Sequence, residues 1–285
     1  MSVRRPMAHD PGRQLLPHCA GEELMLKVFC VAMVVALAGT VSAWAQSAPP
    51  EAVKELAPSG TLRAAINTGN VVLAQKDETG QVHGASVDLA RELARRLGVP
   101  IDLHVYDAAG KVTDAAKNGE WDIAFVAIEP ARAQGIAFTP PYVVIEGTYL
   151  VSVDSPLKSI ADVDHDGVRI AVGKGSAYDL YLTRTLQHAT LVRYPTSPLA
   201  LDGFLADKTD AAAGVKQQLV QFAKSHPNVR VMDGHFQDIR QAMATPLGRE
   251  AGLKYLSGFV EEMKASGFVK SALERSGQSG DLVAP

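Results

Sequence analysis

Between residues 61 and 276, apolar residues recur alternately with the two-residue period of a strand and the three-to-four-residue period of a helix. A chain patterned this way forms sheets layered with helices. Strands that pair in parallel need a long crossover, and a helix can bury its own apolar stripe while making it. The Ser59-Gly60 turn predicts a first strand over 61–66. Ser86 then stands as an N-cap before Val87, Ala90, Leu93, Ala94 and Leu97, which share one helical face, and Gly98 supplies the stop. A strand over 101–105, a helix over 108–118 closed by Gly119 and a buried strand over 122–128 complete a βαβαβ run. The pattern breaks at Pro140-Pro141-Tyr142, where two prolines are not expected to continue a hydrogen-bonded ladder, and a long apolar segment over 143–153 follows. A lobe boundary is expected there.

A second alternating set follows: strands over 169–172, 191–193 and 210–214, with helices over 177–186, 198–206 and 217–225. After an extended piece over 229–232, another over 239–244 is expected to carry the chain back, so that helices over 248–266 and 268–276 pack on the first lobe. The expected fold class is α/β with two lobes and two hinge crossings. Residues 46–143 plus 240–285 form lobe 1, and 144–239 form lobe 2.

Ahead of this body, Lys27, an apolar run over 28–41 and Ala43-Trp44-Ala45 have the order of a secretory signal peptide. Roughly 14 apolar residues fall short of the ~20 that a membrane-spanning helix needs. Residues 25–45 are therefore expected to direct export to the periplasm with cleavage after Ala45, and residues 1–24 form an upstream extension. Both cysteines, Cys19 and Cys30, lie in the removed part, which leaves the mature protein no disulfide and no thiolate metal site. About 240 residues remain, enough to be stabilised by an apolar core.

The 28 Lys plus Arg against 31 Asp plus Glu give a net charge of −3, no basic field for a nucleic acid. The eight histidines show no paired zinc spacing. Asp162-Val-Asp164-His-Asp166-Gly167 opens like a calcium loop, but its closing carboxylate would fall at Gly173. No metal or other cofactor is expected.

In open α/β sheets the ligand crevice lies beyond the carboxyl ends of the strands. The loops there contain Asn67 and Asn70 after the first strand, and Ala127, Glu129 and Arg132 after the buried strand. In the second lobe they contain Lys174, Gly175 and Ser176, then Val215 and Lys216. Together with Gly60-Thr-Leu-Arg-Ala-Ala-Ile66, Gly84-x-x-Val-Asp-Leu-Ala90, Trp121-Asp-Ile-Ala124, Pro130-Ala-Arg132 and Phe138-Thr-Pro-Pro-Tyr142, in this order, the chain resembles family 3 bacterial extracellular solute-binding proteins from about Ala52 to Ser276. The resemblance implies a type II periplasmic binding protein clamshell, each lobe a five-stranded mixed sheet flanked by helices. It also implies a monomeric receptor that hands a polar amino acid or organic acid to an inner-membrane ABC permease. By the same resemblance, Arg132 would fork onto the ligand carboxylate, a geometry suited to a planar guanidinium. The backbone N–H groups at Gly175-Ser176 would meet the same group, and Ser176 can also be a simple N-cap.

Three positions depart from the family pattern. Glu129 stands where Thr or Ser is usual, and its carboxyl can receive a cationic ligand group or bond a neighbouring backbone instead. The loop over 67–73 lacks an aromatic platform, which leaves Asn67 and Asn70 to offer amide hydrogen bonds. Val215 stands where the family places the acid that pairs with the ligand ammonium, and Lys174, Lys216 and Arg132 lie near the cleft or on the lobe surface. A carboxylate lacking an amine is therefore a candidate solute alongside the amino acids. A cyclohexadienyl dehydratase-like enzyme with Glu129 or Asp179 as the acid, and an extracytoplasmic sensor partner, are the alternative readings.

Overall fold

The computed structural model describes residues 48–285. Helix α1 (Pro50–Leu56) leads into β1 (Leu62–Asn67), a two-residue hairpin pair β2 (Gln75–Lys76) and β3 (Val82–His83), α2 (Ala85–Leu97), β4 (Ile101–Tyr106), α3 (Ala109–Ala116) and β5 (Ile123–Ala127). The long β6 (Ile136–Ser152) carries the chain into the second lobe. There β7 (Arg169–Gly173), α4 (Ala177–Thr185), β8 (Thr190–Tyr194), α5 (Ser197–Ala206), β9 (Ala211–Val215), α6 (Lys216–Ser225) and β10 (Val229–Val231) follow. Strand β11 (Gln237–Pro246) returns, and α7 (Glu250–Ala265) and α8 (Phe268–Arg275) close the first lobe.

The fold is the type II periplasmic binding protein clamshell, and its two lobes repeat one strand order. Lobe 1 runs β4-β1-β5-β11-β6, and lobe 2 runs β8-β7-β9-β6-β10. In each, the first strand pairs in parallel with the second and third, while the returning strands are antiparallel. Because β6 and β11 each pass through both sheets, the lobes share two crossings. Alternate side chains of each central strand enter different core layers. Leu62, Ala64 and Ile66 of β1 join the large cluster with α2, whereas Ala65 faces α3 with Trp121. In lobe 2, Ile170 and Val172 of β7 face one way and Ala171 the other, toward Leu201 and Phe204 of α5. Strands buried on both faces need continuous apolar runs, as these segments have.

The element centres fall where the periodicity predicts them, with two differences. Ser86 is not the cap of α2. Gly84 is, at φ +124°, where an added Cβ would lie 2.6 Å from the Leu73 carbonyl oxygen. Ser86 instead sits inside the helix, its hydroxyl 3.2 Å from that of Tyr142. Nor do Pro140 and Pro141 end a strand, since both lie within β6. The register with β11 shifts on either side of Ala242, which pairs with Pro141, and the Met243 N–H donates to the Thr139 hydroxyl. On the opposite edge β9 first pairs at Gly147, so the missing proline N–H groups interrupt no ladder there.

Candidate functional site

The repeated strand order places a topological switch point at the carboxyl end of β1 in one lobe and of β7 in the other, where neighbouring connections leave in opposite directions. These two ends face each other. The cavity between them measures about 30 Å³ and adjoins a larger groove of about 890 Å³ that shares Ala108, Arg132 and Lys174 with it. The lobes are shut: the Cα of Gly110, in α3, would lie 2.8 Å from a Cβ on Gly175, which itself has φ +72°. Any side chain at Gly175 would therefore prop the clamshell open.

Arg132 spans the gap. Its Nη1 donates to the carbonyl of Ala127 in its own lobe and its Nη2 to the carbonyl of Gly175 in the other, each at 2.9 Å. The residue is only 5% exposed, and its Nε is buried with no hydrogen-bond partner among the described residues. Burial pulls its pKa down to about 10, against the opposing pull of Glu129, so the guanidinium stays charged at neutral pH. A guanidinium carries five N–H donors. Two are engaged here, and neither goes to a carboxylate.

Asn67, Asn70, Ala127, Ser176 and Val215 line the same cavity. Each asparagine commits its side-chain oxygen to a nearby backbone N–H, Asn67 to Gly69 at 3.0 Å and Asn70 to Val72 at 3.2 Å. Ser176 caps α4, its hydroxyl oxygen accepting the Asp179 N–H at 3.0 Å. The turn does not, however, offer the N–H groups expected of it. The Gly175 N–H donates to the Asp179 carboxylate and the Ser176 N–H to the Gly173 carbonyl. The N–H groups left without an intrahelical acceptor are those of Ala177 and Tyr178, at the first turn of α4, and both residues line the cavity.

Glu129 and Lys216 are placed elsewhere. Glu129 is 2% exposed, and its carboxylate takes Arg184 of α4 at 2.6 Å and Gln237 of β11 at 2.9 Å. It ties the loop after β5 to the second lobe and does not line the cavity. Lys216 pairs with Glu146 of β6 at 2.5 Å. Asp179, the other acid considered above, bonds Arg193 at 2.9 Å as well as the Gly175 N–H. In the segment that opens like a calcium loop, Asp162 accepts the Lys158 and Ser159 N–H groups and Asp164 those of Gln187, His188 and Ala189.

Sequence reasoning overlooked Ser197, Gln218 and Gln241, which also line the cavity. Ser197 follows β8, so the rule that ligands gather beyond strand ends would have found it. Gln241 lies in mid-strand, where no local signal marks it.

A model of the bacterial extracellular solute-binding proteins, family 3, matches residues 62–278. The chain belongs to this family. The amino-acid-binding protein AabA of Dichelobacter nodosus is 23% identical over 206 residues, which cover 70% of this chain and 81% of that one. The L-cystine-binding protein TcyJ of Escherichia coli K12 is 22% identical over 259 residues, covering 90% and 95%. Among solved structures, the ancestral amino acid-binding protein AncCDT-1, described as a precursor of cyclohexadienyl dehydratase, superposes with a TM-score of 0.67 at 24% identity, covering 78% of this chain and 97% of that one. As a family 3 protein the chain is a solute-binding receptor. No helix among its described residues is long and apolar enough to cross a membrane.

Proposed function

We propose that this protein captures a small carboxylate-bearing solute by lobe closure and presents it to an ABC permease, after export directed by residues 25–45. The observation that carries the reading is Arg132. It is a buried guanidinium that touches both lobes, faces the cavity and keeps unengaged donors, Nε among them. A planar fork of this kind binds a carboxylate through two parallel hydrogen bonds. The lobes hinge where β6 and β11 cross, near residues 143–144 and 239–240, so that solute bound on one side recruits the other and stabilises the shut state.

A thermal-shift screen of amino acids, dicarboxylates, keto acids and amines tests this. At a hundredfold excess over Kd, a ligand of the folded state adds about 2.7 kcal/mol, roughly 5–10 °C in Tm for a domain of this size. Carboxylates should give such shifts and amines lacking a carboxylate none. The reverse would contradict the reading.

Elimination chemistry of the dehydratase type is a second reading, suggested by the AncCDT-1 likeness. It needs an acid free to protonate a leaving group. Both candidates, Glu129 and Asp179, are tied to arginines instead. Incubation with prephenate or arogenate should therefore leave the substrate unchanged.

A further inference from the structure

The charged groups around the cavity are all cationic, while its neutral polar groups, Gln218 and Gln241 included, can both donate and accept. Arg132 brings a positive charge with three uncommitted N–H bonds, two of its five being engaged. The oxygens of Asn67 and Asn70 each accept one backbone N–H, which leaves each amide two N–H donors against one free lone pair. Ser176 accepts from the Asp179 N–H and Ser197 accepts from the Tyr178 hydroxyl at 2.7 Å, which leaves each its own O–H to donate and one lone pair. The first turn of α4 adds unpaired N–H groups, and Lys174 stands at the rim. No Asp or Glu lines the cavity among the described residues. The two buried acids in the flanking segments, Glu129 and Asp179, are both engaged by arginines, and Val215 presents an apolar wall.

We infer that the solute is a small organic acid without an ammonium group, its second end also a hydrogen-bond acceptor: a keto acid, a hydroxy acid or a dicarboxylate. The inference rests on the carboxylate reading above and sharpens it. Against this wall an ammonium would meet aligned donors and a like charge, with no carboxylate to receive it. Oxygen acceptors at both ends of a short acid would instead meet a donor each.

Calorimetric titration with matched pairs tests the inference: alanine against pyruvate and lactate, aspartate against malate, glutamate against 2-oxoglutarate. The best-bound acid should exceed its amino acid twin in affinity by about 100-fold or more, the scale set by an unpaired buried charge. If an amino acid binds as tightly as its twin and Arg132→Ala abolishes that binding, the inference falls while the carboxylate reading stands. If binding survives Arg132→Ala, the carboxylate reading falls as well. Failure of every pair to bind overturns both. A second variant probes the wall itself. Val215→Asp, checked for folding by its melting curve, should move the affinity ratio toward the amino acid by at least about tenfold. A ratio that stays constant in the folded variant would overturn the account of the wall.

Discussion

Two arginine sites at opposite ends of the same lobe 1 strands have opposite fates. At the amino ends of β1 and β5, Asp122 is fully buried and takes the Arg63 Nε at 2.9 Å, the Arg63 Nη2 at 2.8 Å and the Arg249 Nη1 at 3.0 Å. Arg63 Nη1 also reaches the carbonyl of Gly119, and Arg249 Nη1 that of Glu55. Both guanidiniums share one carboxylate, and the cluster binds β1, β5 and the start of α7 into one unit. At the carboxyl ends of the same strands, Arg132 is as deeply buried, yet it touches only neutral carbonyls and leaves Nε unpartnered. Burying a charge without a counter-charge is costly. A guanidinium paired with a carboxylate therefore marks where the lobe is held together, and a buried one with no carboxylate marks where a partner from outside is expected. Lobe 2 repeats only the backbone part of this contact at its own strand starts, where the Arg169 N–H donates to Asp210 at 2.8 Å, as the Arg63 N–H does to Asp122 at 3.2 Å.

The contrast can be broken by mutation. Arg132→Ala should weaken solute binding by about 2–5 kcal/mol in calorimetry, since it removes one partner of a desolvated charge pair. The melting temperature without solute should change little. Asp122→Ala should do the reverse. It leaves two guanidinium groups facing one another and should cost about 3 kcal/mol, roughly 6–12 °C in Tm, with little change in the affinity of the protein that remains folded. If Asp122→Ala reduced affinity as much as Arg132→Ala did, the division into structural and binding clusters would be wrong.

Glu129 lies between the two classes, being saturated yet placed across the cleft. Glu129→Gln keeps a partner for Gln237 but removes the charge facing Arg184. It should weaken binding by about tenfold or less through a less favoured shut state. Surface ion pairs provide the lower bound. Glu92, hydrogen-bonded by Arg95 and Arg96, has its pKa lowered from 4.5 to about 2. Its contribution is thus present above pH 4.5 and disappears as pH falls toward 2. Partial exposure of its partners keeps this below about 1 kcal/mol. Glu92→Gln should lower Tm by a few degrees at most at neutral pH and flatten the acid limb of the melting curve in that window.

The fold was legible because period and punctuation agree along most of the chain. The apolar face of α2 with its glycine stop, and the wholly apolar β5 and β9, leave few alternatives. The proline pair misled because a bulge and an unpaired strand edge can absorb missing N–H groups, and neither can be seen locally. Arg132 could be singled out from the sequence through the family resemblance, in which an arginine in this loop meets the ligand carboxylate, and its place beyond a central strand agrees with that. The commitments of Glu129 could not. Its partners, Arg184 and Gln237, lie 55 and 108 residues away and meet it only when the lobes shut. The same holds for the lack of Asp and Glu in the cavity lining among the described residues, which depends on how the loops meet rather than on any one segment.

Small-angle scattering with the best-bound acid tests most directly whether Arg132 couples solute to closure. Saturating solute should contract the wild-type protein toward the shut form described here and leave the dimensions of Arg132→Ala unchanged at the same concentration. Equal contraction in both would show that closure does not depend on this guanidinium and would contradict the account.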